Sequence, residues 1–458
     1  LVASTDGVGT KGILIKKYTG DYYTCGHDIV NHSINDILVQ GAKPLFFLDY
    51  VASSNLNIKD TASFVKGCCD ACKTVDCVLL GGETAEMPSV YKDGHMDMVG
   101  TIVGEKVIEI GKVEENDLFI GLASSGPQTN GYSLIRKLLE NNIPPKEVLE
   151  SLLTKHGSFL DIVVHINKAY EIGGMCHITG GGLVENLKRT IPSDLTIDLT
   201  SINYPKWCQW IMEVGNIPEH EMQKVFNCGI GFFTFIKPIK RENVLKIGIL
   251  GSTKGTVLDY IVKAIQDKAS LLYEKVEIVK VISNKKASGI LERSESLGLK
   301  GVYLPKGKDI LDDAYYSKID EEFSQSGVEL ILCIGWMKII SVDFLEKWNN
   351  RCVNVHPSLL PKYAGGMDLE VHRKVILNKD KESGCTVHIV TEQVDQGKII
   401  IQKRCDVSEE DTPGSLKNKV QHLEGQCYIE FLYYFYNNLI DFIIKGNKVG
   451  MVKKRYYG

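Results

Sequence analysis

Residue types and spacing that could do chemistry stand out in the run Cys352-Val353-Asn354-Val355-His356-Pro357. In an extended chain Asn354 and His356 project from one face, Val355 turns toward the core, and Pro357 ends the strand. An amide beside an imidazole can stabilise an oxyanion and move a proton. For an isolated Asn-x-His the competing reading is an imidazole satisfied by backbone at a strand end. A second constellation lies near the start of the chain. In Ser4-Thr5-Asp6-Gly7-Val8-Gly9-Thr10-Lys11, glycines would let backbone approach a phosphate while Asp6 holds a metal, although Asp-Gly is also ordinary turn chemistry. Asp28, His32, Asn35 and Asp36 then recur at helical spacing on one face. A solvated polar face usually carries Lys or Glu, and this one has neither, which favours metal and phosphate ligation. Finally, Cys77 to Pro88 takes an apolar strand into Gly81-Gly82 and sets Glu83 at its end.

The elements that must position these groups are legible from periodicity. The spacing predicts a helix from about His27 to Gln40, with Ile29, Val30, Ile34, Ile37 and Leu38 as its core stripe. Val244 to Leu250 reads as an apolar strand, followed by Gly251-Ser252-Thr253-Lys254-Gly255-Thr256 and a helix from Val257. That layout turns backbone N–H groups toward an anion. A dinucleotide fold shares it, but GxGxxG is not satisfied here. Strands over Val276 to Ser283, Glu329 to Ile334, Arg351 to His356 and Cys385 to Thr391 alternate with helical stretches, the order of a mostly parallel, doubly wound α/β sheet. Such sheets bind ligands at the C-terminal ends of their strands. From Cys427 onward the tail reads as an amphipathic helix with a basic terminus.

Apolar content of 44% and charged content of 24% are those of an ordinary globular protein, and 458 residues suffice for about three domains. There is no run of eighteen apolar residues, so no membrane span is expected. Thirteen cysteines, an odd number without framework spacing, suggest reduced thiols and a cytoplasmic location. Cys68, Cys69, Cys72 and Cys77 could be metal ligands, but no second CxxC follows at zinc spacing, and they are expected in the core. Residues 1–243 carry a net charge of −7 and the remainder +3; neither makes a nucleic-acid surface. The polar run Ile236 to Asn243 is the expected boundary between the halves.

In the second half, HPSLLPKYAGGMDLEVH (from His356) and GCTVHIVTEQVDQG (from Gly384) resemble glycinamide ribonucleotide (GAR) transformylase, a folate-dependent formyltransferase, from about Leu245 to Glu424. The resemblance implies a Rossmann-like formyltransferase domain over 244–458 with Asn354, His356 and Asp395 as catalytic groups. Gly255, Thr256, Val257 and Glu424 would bind the ribonucleotide. Many relatives have Asn at the Val257 position, so this third contact would come only from backbone. Folate, as 10-formyltetrahydrofolate, would meet Met337, Lys338, Ile339, Ile340, Asn354, Thr391, Glu392, Gln393, Val394 and Asp395. Methionyl-tRNA formyltransferase and formyltetrahydrofolate hydrolase are the rivals within this chemistry.

In the first half, NDILVQGA, GGETAEMP, GPQTNGYS, HITGGG and FNCGIG, in this order, resemble aminoimidazole ribonucleotide (AIR) synthetase, an ATP-dependent cyclo-ligase, from Leu1 to about Lys237. This implies an ATP-binding α/β domain over 1–109, a second over 110–239, and a homodimer formed through the first. Asp6, Asp28, Asn35, Asp36 and Glu83 would line the ATP and Mg²⁺ site, with Asp6, Asp28 and Glu83 as metal ligands, and His177 and Asn186 near the ribonucleotide. Gln128-Thr129 replaces the family's usual His-Ser. The resemblance also implies further residues, including a glycine-rich nucleotide-binding segment, ahead of the DGVGTK motif, and the cyclo-ligase module is expected to be incomplete without them. The whole chain reads as a bifunctional enzyme of purine biosynthesis. A formyltransferase whose first half is a dimerising, non-catalytic scaffold is the alternative.

Overall fold

The periodicities resolve into three sheets in a computed structural model that describes residues 1–199, 202–307, 310–367 and 369–455. Asp368, inside the motif that starts at His356, and the last three residues of the basic terminus lie outside the described residues. The chain forms two units, one of Leu1–Ile239 joined by the residues from Gly446 onward, the other of Lys240–Lys445.

In the first unit a four-stranded sheet runs in the order Val2–Gly7, Met96–Lys106, Ala42–Ser53, Val78–Glu86. The helix Tyr23–Leu38 packs on it, with Ile29, Val30, Ile34, Ile37 and Leu38 fully buried. It starts at Tyr23 rather than the predicted His27, because the Asp21 side chain accepts from the Tyr23 N–H at 3.0 Å. Its neighbour Ile58–Thr74 approaches backbone to backbone. A Cβ on Gly26 would sit 2.2 Å from the Phe64 carbonyl oxygen, and one on Gly67 would sit 2.1 Å from that of Tyr23, so only glycine fits at the crossing. Cys68, Cys72 and Cys77 are buried around this helix and Cys69 is half-buried; all are free thiols.

A five-stranded sheet follows in the order Ile172–His177, Ile230–Ile236, Leu118–Ala123, Lys448–Lys454, Leu195–Ile197. The fourth of these corrects the reading of the tail. The helix Pro413–Tyr436 stops at Asn437-Asn438, a short helix Ile440–Ile444 follows, and past Gly446 the chain turns extended. Asn438 and Gly446 both take left-handed backbone, at φ 56° and 88°, which breaks the helical run. Val449 and Val452, three apart and so on opposite faces, are both buried, and the strand is antiparallel to both Leu118–Ala123 and Leu195–Ile197. The C-terminal strand therefore belongs to the first unit, not to the formyltransferase-like stretch where 244–458 had placed it.

The second unit is built on a seven-stranded sheet in the order Gly301–Tyr303, Val276–Ser283, Leu245–Leu250, Leu330–Cys333, Cys352–His356, Glu382–Ile389, Ile399–Asp406. The first five strands are parallel, and the last two are joined on by antiparallel pairings. Parallel strands are covered on both faces, which is why LKIGIL and LILC read as continuous apolar runs. Helix Pro413–Tyr436, capped by Thr412, packs across this sheet, and its Tyr428 hydroxyl donates to the Cys333 carbonyl at 2.7 Å.

Removing the residues after Lys445 should destabilise the first unit, because it strips a central strand and the buried Val449 and Val452, each contributing about 1.5–3 kcal/mol of burial. Calorimetry of the shortened chain should show one transition at lower temperature and the other unmoved.

Candidate active sites

In the second unit the strand Cys352–His356 ends on a buried imidazole, and the loop between Glu382–Ile389 and Ile399–Asp406 folds back over it. His356 Nδ1 lies 3.1 Å from Asp395 Oδ2, and its Nε2 lies 3.0 Å from the Tyr363 carbonyl oxygen. Both ring nitrogens thus face acceptors. Burial alone would raise the Asp395 carboxyl, but hydrogen bonds from His356 and His388, together with the Gly365 N–H, hold it far below the usual carboxylate range. Asp395 is also held at φ 56°, where a non-glycine residue is strained. Asn354 Nδ2 lies 3.3 Å from His388 Nε2, and that nitrogen is 3.4 Å from Asp395 Oδ1. Asn354, His356 and Asp395 are therefore brought together, with His388 as a fourth member.

The turn after Leu245–Leu250 has Gly255 at φ 66°, and a Cβ there would lie 2.5 Å from Ile290. Thr256 opens the helix Val257–Gln266 without a side-chain cap, which leaves N–H groups of the first turn facing outward. The Val257 side chain is buried, so only its backbone is on offer. Half-buried Glu424 sits beside Gly425, which packs on Tyr260 of that same helix. Met337, Lys338 and Ile339 are exposed, as are Thr391, Glu392, Gln393 and Val394. Ile340, predicted with the folate group, instead packs in the core with Tyr316 and Phe344, because the turn re-enters the fold there.

In the first unit the polar face of Tyr23–Leu38 is buried rather than solvated. Asp28, expected as a metal ligand, is fully buried in an ion pair with Lys11 at 2.8 Å, and its other oxygen accepts from the His156 N–H at 2.7 Å. Burial pushes its carboxyl up and Lys11 opposes. Asn35, expected at the ATP site, spends its amide on the Gly157 carbonyl and the Phe159 N–H, at 2.9 and 3.0 Å. Asp6 and Asp36 do converge, on His32. His32 holds the Asp6 carboxyl down through a 2.8 Å contact; at Asp36 burial pushes up and is outweighed by His177 and His32. Burial would lower His32, but Asp6 and Asp36 raise it. Glu83 stands apart. The register Asp6, Gly100, Asp49, Gly82 across the sheet puts it three strands away, roughly 14 Å.

His177 ends its strand with Nδ1 2.8 Å from Asp36 Oδ1; burial pushes it down to about 4. Asn186 is buried and donates to the Gly182 carbonyl at 2.7 Å, bracing the glycine turn at the start of helix Gly182–Thr190.

Comparison with known proteins agrees with the two-unit plan. The model for the N-terminal domain of AIR synthase related proteins matches residues 1–106, that for their C-terminal domain 114–247, and that for formyl transferases 245–432. The phosphoribosylformylglycinamidine cyclo-ligase of Burkholderia pseudomallei (strain 668) is 40% identical over 259 residues, covering 54% of this chain and 74% of that protein. The chain belongs to the AIR synthase family. A formyl transferase domain is fused to it in the same polypeptide. The trifunctional purine biosynthetic protein adenosine-3 of Gallus gallus is 31% identical over 500 residues, 93% of this chain and 49% of that protein, so the chain spans about half the length of such relatives. Glycinamide ribonucleotide transformylase 1 from Symbiobacterium toebii, a crystal structure, aligns with 30% identity and a TM-score of 0.40 over 43% of this chain and 90% of that one.

Sequence reasoning missed His388, His156 and the use of Lys11. His388 sits in the quoted GCTVHIV stretch on the face of Asn354, so alternation within a predicted strand could have found it. His156 has no such signal, since it lies in a turn after helix Lys146–Leu153.

A buried histidine whose folded pKa lies below its unfolded value leaves the unfolded state binding more protons, so stability rises with pH between the two. For His177 that window runs from about 4 up to the ordinary 6.5. Lowering the pH from 7 to 5 should therefore cost the first unit about 2 kcal/mol from this residue alone. Urea unfolding followed by Trp207 and Trp210 fluorescence at the two pH values measures it.

Proposed function

We propose that the second unit transfers the formyl group of 10-formyltetrahydrofolate to the amine of glycinamide ribonucleotide. The observation that carries this reading is the buried His356–Asp395 pair beside Asn354. The amine attacks the formyl carbon, and negative charge grows on the formyl oxygen; collapse of the adduct breaks the bond from that carbon to N10, and the proton the amine loses goes to the departing tetrahydrofolate nitrogen. Asn354 supplies an amide N–H to that oxygen and His356 an imidazole N–H, while ionised Asp395 aims the ring. The helix N-terminus at Thr256 suits the ribonucleotide phosphate. Exposed Met337, Ile339 and Val394 suit the pterin and its linker.

For the first unit we propose the cyclo-ligase reaction, in which ATP phosphorylates the amide oxygen of formylglycinamidine ribonucleotide, leaving ADP, and the neighbouring nitrogen closes the imidazole ring as that oxygen departs with the phosphate and the nitrogen loses a proton. Half-exposed Asp6 and the partly buried Asp36 offer hard oxygen ligands near one another, a donor set suited to Mg²⁺. Bound there, Mg²⁺ would offset phosphate charge. Asp28 and Asn35 support this site by bracing the 154–159 turn. His177 and Asn186 lie at the adjacent glycine turn, where the ribonucleotide would sit. The domain boundaries near 109 and 239, and a cytoplasmic location, complete this reading; among the described residues no helix is long and apolar enough to cross a membrane.

A homodimer through the first domain is supported by its edge strand Val78–Glu86, which is mostly exposed and carries Val78 and Leu80 at 57% and 62% exposure. Glu83 on that strand fits such an interface better than a metal site within one chain. Leu80→Lys should shift the protein toward monomer in analytical ultracentrifugation; an unchanged mass would refute the edge as interface.

His356→Ala should lower formyl transfer by roughly 10²- to 10³-fold while ATP-dependent ring closure by the same sample is unchanged. Folate absorbance with and without glycinamide ribonucleotide reads the first reaction. A loss under tenfold in a folded variant would remove His356 from the chemistry.

A further inference from the structure

Three imidazoles from distant segments meet inside the first unit. His32 comes from helix Tyr23–Leu38, His156 from the turn after Lys146–Leu153, and His177 from the end of Ile172–His177. Their ring centroids lie 5.0, 5.1 and 5.3 Å apart, and each offers a nitrogen within 4.8 Å of the other two. All three side chains are buried.

The surrounding hydrogen bonds fix which nitrogens carry protons. The Asn35 amide is oriented by backbone, Oδ1 accepting from Phe159 and Nδ2 donating to Gly157, so its remaining hydrogen points at His156 Nε2, 3.1 Å away. That nitrogen must accept. The His156 proton is then on Nδ1, which has no partner. His177 Nδ1 donates to Asp36, leaving a lone pair on its Nε2. His156 Nε2 and His177 Nε2 therefore face each other at 3.3 Å with no proton between them, and an ion there would take the one His156 lone pair in place of the Asn35 N–H. Two acceptors at that separation call for something electropositive between them.

A tetrahedral ion with metal–nitrogen bonds of about 2.0–2.1 Å has ligand–ligand edges of about 3.3–3.4 Å. The carboxylate of Asp36 behind His177 is the usual outer partner of a metal-bound imidazole. Imidazole nitrogens select zinc-class ions over Mg²⁺. We propose that His156 and His177, with His32 as third ligand, form a binding site for one divalent transition-metal ion of the zinc class. His32 joins by exchanging its contact to Thr129 or Asp6 for the ion. The site would clamp helix Tyr23–Leu38 to strand Ile172–His177, directly behind Asp6 and Asp36, which the reading above gives to Mg²⁺.

The test uses the full chain, stripped with chelator and titrated with Co²⁺ and then Zn²⁺. One equivalent should bind, with the visible spectrum of tetrahedral Co²⁺, and Zn²⁺ should raise the first unit's melting temperature. His156→Gln should weaken Co²⁺ binding at least 100-fold, and Asp36→Asn should weaken it about 10- to 100-fold. No saturable binding at micromolar metal would overturn the proposal and leave a shared proton between the two rings. Unchanged affinity in His156→Gln would also overturn it. Should that variant fail to fold, X-ray absorption of the Zn²⁺-loaded wild type decides: imidazole ligands support the site, and a sulfur-dominated shell refutes it.

Discussion

The buried ion pair of Lys11 and Asp28 sets the geometry of the first unit. Neither side chain is exposed, and a charge left alone at such a position costs about 3–5 kcal/mol. Each partner is therefore bound to further groups: Lys11 donates to the Thr154 carbonyl at 2.7 Å, and Asp28 accepts from the His156 N–H. The pair thus fixes the 154–156 turn against the helix Tyr23–Leu38. Once that turn is fixed, Asn35 meets Gly157 and Phe159, and His156 is carried into the space beside His32 and His177. One electrostatic requirement near the start of the chain so determines where three histidines from separate segments come to rest.

The second unit stores its constraint in backbone strain and a depressed carboxylate. Asp395 takes a left-handed conformation and receives N–H groups from His356 and Gly365 on the same oxygen. A carboxylate so supplied stays ionised, and the imidazole beside it is held in one orientation before any substrate arrives. That is the preorganisation that oxyanion chemistry needs, since little has to reorient as charge develops. The parallel strands supply the rigid platform, and the folded-back 390–398 connection supplies the third group.

The chain path adds a further dependence. The formyl transferase domain is inserted ahead of the last strand of the first unit, so the polypeptide leaves that unit near Ile239 and returns at Gly446. The five-stranded sheet is complete only when both ends of the inserted unit have been made. Its missing position lies between Leu118–Ala123 and Leu195–Ile197, in the interior of the sheet.

Local periodicity and turn chemistry alone determined much. The strand carrying Asn354 and His356, the glycine turn ahead of Val257 and the apolar stripe of the helix after Asp21 follow from alternation, 3.6-residue spacing and glycine placement. The quoted motifs gave both families. Tertiary structure decided what these rules cannot reach. Asp28 reads as a metal ligand until Lys11 is seen against it, and Glu83 reads as a companion of Asp6 until sheet order places two strands between theirs. Ile340 reads as a ligand contact until the turn is seen to re-enter the core. The tail reads as helix because Lys448–Lys454 has too few residues to show its alternation, and its strand identity comes from partners more than two hundred and fifty residues earlier. His156 had no local signal at all. Its role depends on the Lys11–Asp28 ion pair and on two hydrogen bonds made across more than a hundred residues of sequence, and contacts at that separation leave no period in the chain to read.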